Sequence, residues 1–269
     1  MGQVKILSGW SQTGGSTTAN INLTNALNQR GINTVFCGPH EWHLGKCEAN
    51  YLKNVKVKPD DYFIMHYLPY VQTRPDVKKF ILSVHEKEVM PLSKINWKIY
   101  DKVHFLNEAQ YQWHQAQIDE EIPYFICGNA HEKLLPLENK NINNVAGIIG
   151  SIDRNKQTHE SIERALNDGM HKIIIFGNIH DNDYFNTQVK PLIEMNGNKI
   201  VMAGFVEDKN KIYDTVTDVY LSSLSENASL VADECQMTGV KFHGNANIST
   251  PNIMPNDEIV KIWKRELEL

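Results

Sequence analysis

Residues 4–37, VKILSGWSQTGGSTTANINLTNALNQRGINTVFC, decide the fold class. Residues 4–7 form a short apolar run. Residues 10–18 are rich in Ser, Thr and Gly, which mark a loop and a helix start. Ile21, Leu23, Ala26 and Leu27 approximate helical spacing, and Gly31 stops the helix. Residues 34–37 read as the next strand. Strand, Gly-rich turn, helix and strand make a βαβ unit, which implies a parallel sheet and a right-handed crossover.

The pattern recurs along the chain. Residues 61–66 (DYFIMH) and 79–85 (KFILSVH) are apolar runs that end in histidine. Residues 102–106 (KVHFL) predict another strand, 110–116 a helix, and 124–126 (YFI) a strand that closes this half. In open parallel sheets ligands bind beyond the carboxyl ends of the strands, where His66 and His85 fall. Residues 136–144 (PLENKNINN) are polar and Asn-rich and read as a linker. A second α/β run follows, with strands at 145–149, 172–176, 199–202 and 219–221 and helices around 161–166 and 209–215. The last segment, 257–269, predicts an amphipathic helix with Ile259, Ile262, Trp263 and Leu267 on one side. The halves share an architecture rather than a sequence.

At 269 residues the chain can form one large domain or two small ones. Hydrophobic residues make up 41% and charged residues 22%, enough for a sizeable core. No run approaches the ~18 apolar residues of a membrane span, and the start, MGQVKI, leads straight into a strand. The expectation is a cytoplasmic protein without an integral membrane segment. The net charge of −5 excludes a globally basic molecule, but the halves differ. Residues 1–140 carry 15 basic against 14 acidic side chains, and residues 141–269 carry 12 against 18. The first half permits a local basic patch at Lys53, Lys56, Lys58, Lys78 and Lys79, although solvated lysines are the plainer reading. The four cysteines form no CxxC pair. Cys37, His40, His43 and Cys47 are four potential zinc ligands within eleven residues, in a spacing that matches no common zinc module.

Three motifs carry chemistry. Gly9-x4-Gly14-Gly15-Ser16 is a phosphate loop with glycine where a nucleoside-triphosphate loop needs lysine. Such a strand-to-helix turn can still bring backbone N–H groups to an anion, or its glycines can merely permit the turn. Asp181-Asn182-Asp183 has the look of a metal-binding DxD but reads better as an acidic turn. Residues 225–239, SENASLVADECQMTG, hold Glu226 and Glu234 eight apart. On one helix they would lie about 80° apart in azimuth and ~12 Å apart along the axis, too far to chelate one ion. With Glu226 in a loop and Glu234 in the helix, the helix start around Asn227, Ala228, Ser229 and Leu230 would offer N–H groups to an anion between them. Spacing alone leaves this stretch open between an anion site and a capped surface helix.

The same stretch resembles the E-x7-E signature of retaining glycosyltransferases with the GT-B fold, family 4. Ser223-Leu224-Ser225-Glu226 and then Glu234-Cys235-Gln236-Met237-Thr238-Gly239-Val240 follow the family's S-x-x-E and E-A-x-x-x-G-x-P-V order. Gly14-Gly15 with Arg30-Gly31 resembles the family's N-terminal turn and helix. Val84-His85-Glu86 resembles its V-H-D, and residues 150–156 (GSIDRNK) resemble G-R-L-D-x-x-K. Gly204-Phe205-Val206 resembles its turn beside the nucleotide. Ser151 stands where the family has arginine, and Lys241 where it has proline.

The resemblance implies an α/β chain of two Rossmann-like domains whose parallel sheets face a cleft. Residues 1–138 would bind the acceptor and residues 139–255 the donor, with the helix at 256–269 packing back on the first domain. It implies metal-independent transfer of a sugar from a UDP- or GDP-sugar to a hydroxyl acceptor, with no cofactor required. Lys156, Arg154 and the N–H groups after Glu226 would neutralise the diphosphate beside Gly14 and Gly15. Glu234 would bind the ribose, Glu226 the transferred sugar, and His85 the sugar or acceptor oxygen. The acceptor is open among a glycan, a small molecule and modified DNA. An Asn-rich chain suits an AT-rich genome, including a bacteriophage's, and His43, His66, Trp42 and Tyr67 would then line a base pocket. A non-catalytic nucleotide-sugar binder and a GT-B epimerase are the other readings.

Overall fold

The computed structural model describes residues 2–66, 71–86, 91–118, 120–136, 144–248, 251 and 253–269. The chain divides into two compact units. One comprises Met1–Glu132 with Asn252–Leu269, the other Lys133–Pro251.

The first unit is built on a seven-stranded, wholly parallel sheet: β1 Val4–Ser8, β2 Thr34–Gly38, β3 Ala49–Tyr51, β4 Tyr62–His66, β5 Lys79–Val84, β6 Lys102–Phe105 and β7 Tyr124–Ile126. Their spatial order is β3-β2-β1-β4-β5-β6-β7. Strand side chains alternate between faces, and both faces are buried here, so the strands read as continuous apolar runs. Val4, Ile6, Phe36, Tyr62, Ile64 and Ile81 point to one face, under α1 (Gly15–Asn28) and α8 (Asn256–Leu267). Leu7, Val35, Phe63, Met65, Phe80 and Leu82 point to the other, where Tyr111 of α2 (Glu108–Gln115) packs. Trp263 of α8 is only 1% exposed and seals the first face.

The second unit carries a five-stranded parallel sheet: β8 Val145–Ile149, β9 Lys172–Phe176, β10 Ile200–Gly204, β11 Asp218–Tyr220 and β12 Lys241–His243, in the order β10-β9-β8-β11-β12. Helix α3 (Thr158–Asn167) crosses from β8 to β9. After β9, α4 (Asn182–Tyr184) runs through a π-turn at Phe185–Val189 into α5 (Lys190–Asn196). Helices α6 (Lys209–Tyr213) and α7 (Leu230–Thr238) follow β10 and β11. Gly177 holds φ +155°, and a Cβ there would sit 1.8 Å from the Gly150 carbonyl oxygen. The ends of β8 and β9 meet at that point with no room for a side chain. Gly239, at φ +78°, ends α7 in the left-handed conformation that glycine adopts without strain.

The sequence missed β3 and β12, three-residue edge strands, and the α4–α5 segment, whose helical period is broken by the π-turn and Pro191. Among the described residues no helix is long and apolar enough to cross a membrane.

Candidate functional site

In the second unit the strand order reverses between β8 and β11. An open α/β sheet takes its ligands at such a switch point, beyond the carboxyl ends of the two strands. The loop after β11 is tied to the loop after β8 by Asn155. Leu224 N donates to Asn155 O at 2.8 Å, and Ser225 N to Asn155 Oδ1 at 3.2 Å. Arg164 of α3 braces the same strand ends, donating to Ser222 Oγ at 3.0 Å and to Gly244 O at 2.9 Å. Across the two loops Lys156 Nζ pairs with Glu226 Oε1, their side chains 26% and 16% exposed. A half-buried ion pair therefore stands beside the start of α7. Ser229 caps that helix, its Oγ accepting from Ala232 N at 3.3 Å. Asn227 is buried just before it, and Ala228 is half-buried.

Glu234 lies in the second turn of α7 and is 5% exposed. Lys209 Nζ donates to its Oε1 at 2.5 Å and Tyr213 OH to its Oε2 at 2.7 Å. Both donors come from α6, four residues apart on one helical face. A carboxylate this buried is tolerable because a cation and a hydroxyl hold it; each of its oxygens keeps a lone pair for a ligand hydroxyl.

Arg154, expected to neutralise a diphosphate, is paired here with two aspartates of its own unit. Its Nε donates to Asp181 Oδ2 at 2.8 Å, and its Nη2 pairs with Asp183. Hydrogen bonds and charge from the two aspartates, Asp181 first, hold its guanidinium still more firmly protonated than usual. Asp181 also caps α4 by accepting from Tyr184 N at 2.9 Å. Arg154 is thus engaged by carboxylates of its own unit. Ser151 is used locally too: its Oγ donates to Asp153 Oδ2 at 2.5 Å, while Asp153 Oδ1 accepts from Lys156 N at 2.9 Å. The serine in the family's arginine position shapes the turn that presents Lys156.

In the first unit the strand order reverses between β1 and β4, where α1 begins. Gly14 precedes α1 with no side-chain cap, and the first turn carries no acidic residue. A Cβ on Gly14 would meet only Trp10 Nε1, at 4.0 Å, and one on Gly15 nothing within 4 Å. Packing does not require these glycines, so the space before the helix N-terminus is open to an anion.

Beside this turn three histidines stand on neighbouring strands. His66 ends β4, His85 follows β5, and His104 lies in β6. Their ring centroids are 4.4 Å apart for His66–His85 and 6.3 Å apart for His85–His104. Burial pushes His66 down to about 4; its hydrogen bond to the Ser83 carbonyl opposes that shift and the neighbouring His104 adds to it. Burial likewise pushes His104 down to about 4. His85 is held well below its ordinary value by burial and then by the two neighbouring imidazoles. All three are neutral near pH 7.

Two proposed acceptor residues are core residues. His43 is fully buried, edge-on to Phe36 at 5.0 Å, with Nε2 bonded to Asn50 O at 2.9 Å. His66 is fully buried with Nδ1 on Ser83 O at 3.2 Å. The carbonyls they satisfy explain why the turn between β2 and β3 tolerates a buried His43 and the end of β4 a buried His66. Tyr67 lies outside the described residues. Burial pushes the thiols of Cys37 and Cys47 up to about 11 and 12. Among the described residues no group of three or more His, Cys, Asp or Glu is placed to hold a metal ion. The sequence reading missed Lys209, Tyr213, Asn155 and His104. The i, i+4 spacing of Lys209 and Tyr213 and the polar His104 inside an apolar run were the available signals; Asn155 gave none.

No family model matches the chain, and no curated protein matches its sequence. Solved structures match its fold end to end. HepE of Anabaena, in complex with UDP and glucose, superposes with a TM-score of 0.68 at 12% identity, over 100% of this chain and 90% of that one. The sucrose-phosphate synthase of Thermosynechococcus elongatus gives 0.68 at 11% identity over the same shares. AviGT4, a glycosyltransferase involved in avilamycin A biosynthesis, gives 0.61 at 13% identity, over 99% of this chain and 88% of that one. The expected GT-B fold, with two Rossmann-like units, is therefore the fold of this chain.

Proposed function

We propose that this protein is a retaining, metal-independent glycosyltransferase of the family 4 type that moves a sugar from a nucleotide-sugar to a hydroxyl acceptor. The observation that carries this reading is the Lys156–Glu226 pair at the β8/β11 switch point, with Glu234 anchored one turn into α7. The second unit binds the donor and the first presents the acceptor. That HepE was solved with UDP and with UDP-glucose supports a UDP-sugar. The E-x7-E order is met by Glu226 for the sugar hydroxyls and Glu234 for the ribose.

The bond between the sugar C1 and the diphosphate oxygen breaks, and its electron pair leaves with the diphosphate. The acceptor oxygen bonds to C1 on the same face and passes its proton to a phosphate oxygen. Lys156 meets the charge that develops. A preorganised donor of this kind contributes about 3 kcal/mol to the transition state. His85, neutral, offers a hydrogen bond to the sugar or the acceptor hydroxyl.

One observation favours a second reading, a nucleotide-sugar binder without transfer. Ser151 and Arg154 are both engaged by aspartates, which leaves Lys156 as the family-matched cation for the diphosphate. Calorimetry with UDP-glucose and GDP-glucose, followed by release of nucleotide with and without EDTA, separates the two. The transferase reading expects UDP-glucose to bind, turnover to survive EDTA, and the product to keep the donor's anomeric configuration by NMR. Binding without turnover favours the binder, and failure to bind either nucleotide-sugar sinks both.

A further inference from the structure

The three histidines are not equally placed. A carbonyl oxygen only accepts, so the bond from His104 Nε2 to Cys127 O at 2.8 Å puts the proton on Nε2. His104 Nδ1 then accepts from Ser83 Oγ at 2.9 Å. By the same reasoning His66 carries its proton on Nδ1, donated to Ser83 O at 3.2 Å. The carbonyls of Ser83 and Cys127 thus fix the tautomers of the two outer rings, and the Ser83 hydroxyl donates to the free nitrogen of His104. His85 follows the same strand as Ser83, and its ring stands close to both outer ones.

His85 and His104 also line a cavity of about 10 Å³ within the first unit, together with Asn20 of α1, Asn129 and Trp263. That volume is about what one water molecule needs. Asn20 is 2% exposed, and its Nδ2 has no hydrogen-bond partner among the described residues. A buried amide N–H left unpaired is costly, and native proteins satisfy such groups with ordered water when the site is polar and large enough. The cavity meets both conditions, with two carboxamides and two imidazoles on its walls. Asn20 occupies a buried helix position where an apolar side chain would pack at no such cost.

We infer that the cavity holds one resident water that links the Asn20 carboxamide to the His85 imidazole, making Asn20 a positioning residue for His85. The water accepts from Asn20 Nδ2 and hydrogen-bonds to His85. That bond adds to the ring's other contacts and biases its orientation and which of its nitrogens carries the proton. The water site stands on the cavity alone; its consequence for transfer rests on the glycosyltransferase reading.

The test uses the full chain labelled with 15N-histidine and 15N-asparagine. In the wild type, the Asn20 side-chain amide is expected to show a cross-peak to a long-lived water; no such cross-peak in the folded protein overturns the water site. In N20L, a near-isosteric change that removes the amide, the His85 Nδ1 and Nε2 resonances are expected to shift toward the other tautomer or coalesce. Those of His66 and His104 are expected to hold. Unchanged His85 resonances in folded N20L overturn the positioning role. If N20L does not fold, the wild-type cross-peak decides the water site, and N20S is read for His85. Its shorter hydroxyl should restore neither the wild-type tautomer nor its sharp lines, and a wild-type His85 spectrum in N20S counts against the proposal. If the protein transfers sugar, kcat in N20L falls roughly tenfold to a hundredfold with KM for the donor little changed. The NMR outcomes are independent of turnover, so failure of the activity reading leaves them intact.

Discussion

The histidine row makes the first unit sensitive to acid. His66 and His104 are both pushed down to about 4 by burial, so between the ordinary histidine value of 6.5 and about 4 the unfolded chain binds protons that the folded one refuses. Stability is therefore complete above pH 6.5 and is lost as the pH falls from there toward 4. For one histidine with these two values, going from pH 7 to pH 5 removes about 2 kcal/mol, and for two about 4 kcal/mol. His85, displaced in the same direction, adds to the loss. For a unit of this size 4 kcal/mol is roughly a 10 °C fall in Tm. The assay is urea denaturation at pH 7, 6 and 5, followed by intrinsic tryptophan fluorescence, since all five tryptophans belong to the first unit and Trp263 stands 4.7 Å from the His104 ring. H104Q is the control: glutamine can donate to Cys127 O and accept from Ser83, but does not titrate. Its stability should fall between pH 7 and 5 by about 2 kcal/mol less than the wild type's. Equal pH slopes in the two proteins would refute the reasoning, whatever their absolute stabilities.

Lys5 and Asp61 form an ion pair buried at 8% and 2% side-chain exposure, with Lys5 Nζ also on Lys56 O at 2.6 Å. K5M or D61L alone should cost about 3–5 kcal/mol in chemical denaturation and the double variant much less, because a single change leaves an unpaired buried charge. W263A should cost about 3–5 kcal/mol by the same measurement, since α8 fixes one face of the first sheet through that side chain. The glycines separate fold from function. G177A should lose about 3 kcal/mol or more of stability from the clash with Gly150 O, whereas G14A should fold normally and weaken nucleotide-sugar binding in calorimetry.

How much of this was legible in the sequence follows from what is local. The central strands were, because a parallel strand buried on both faces is an unbroken apolar run, as in 62–66 and 79–84. β3 and β12 were not, because a three-residue edge strand such as Lys241–His243 carries too few side chains to show a period. Glu226 and Lys156 could be named from motif order, but that they pair across 70 residues could not. The partners of Arg154 were hidden for the same reason. Two positions from Lys156 the arginine looks like a phosphate ligand, and only the fold brings Asp181 and Asp183 to its guanidinium. His43 and His66 look like ligand residues because histidine is polar, but a backbone carbonyl in each case makes them acceptable core. Lys209 escaped notice because its significance depends wholly on Glu234 of another helix.

These pairings decide how a diphosphate would be received. Three cations of the second unit already have carboxylate partners among the described residues: Lys156 has Glu226, Lys209 has Glu234, and Arg154 has two aspartates, while Arg164 is held by Ser222 and backbone carbonyls. An incoming anion must take a cation from one of them. Lys209–Glu234 is the most buried, with side chains 19% and 6% exposed, and breaking it would strand Glu234. Lys156–Glu226 is more open and links two loops, so it is the pair that yields. On the proposed glycosyltransferase reading, Lys156 would then turn to the diphosphate and Glu226 would be released to accept hydrogen bonds from the sugar hydroxyls, so that one displacement would prepare both ends of the donor. Removing the competitor should therefore have opposite effects on two ligands. E226Q should bind UDP more tightly, by up to about fivefold if the pair is worth the ~1 kcal/mol of a partly exposed ion pair. It should bind UDP-glucose no better than UDP, because the amide lacks the charge that holds the sugar hydroxyls. Calorimetry with both ligands reads the difference. If E226Q binds UDP more weakly than the wild type, the exchange of partners at Lys156 is wrong, and Glu226 holds that lysine in place for the phosphate.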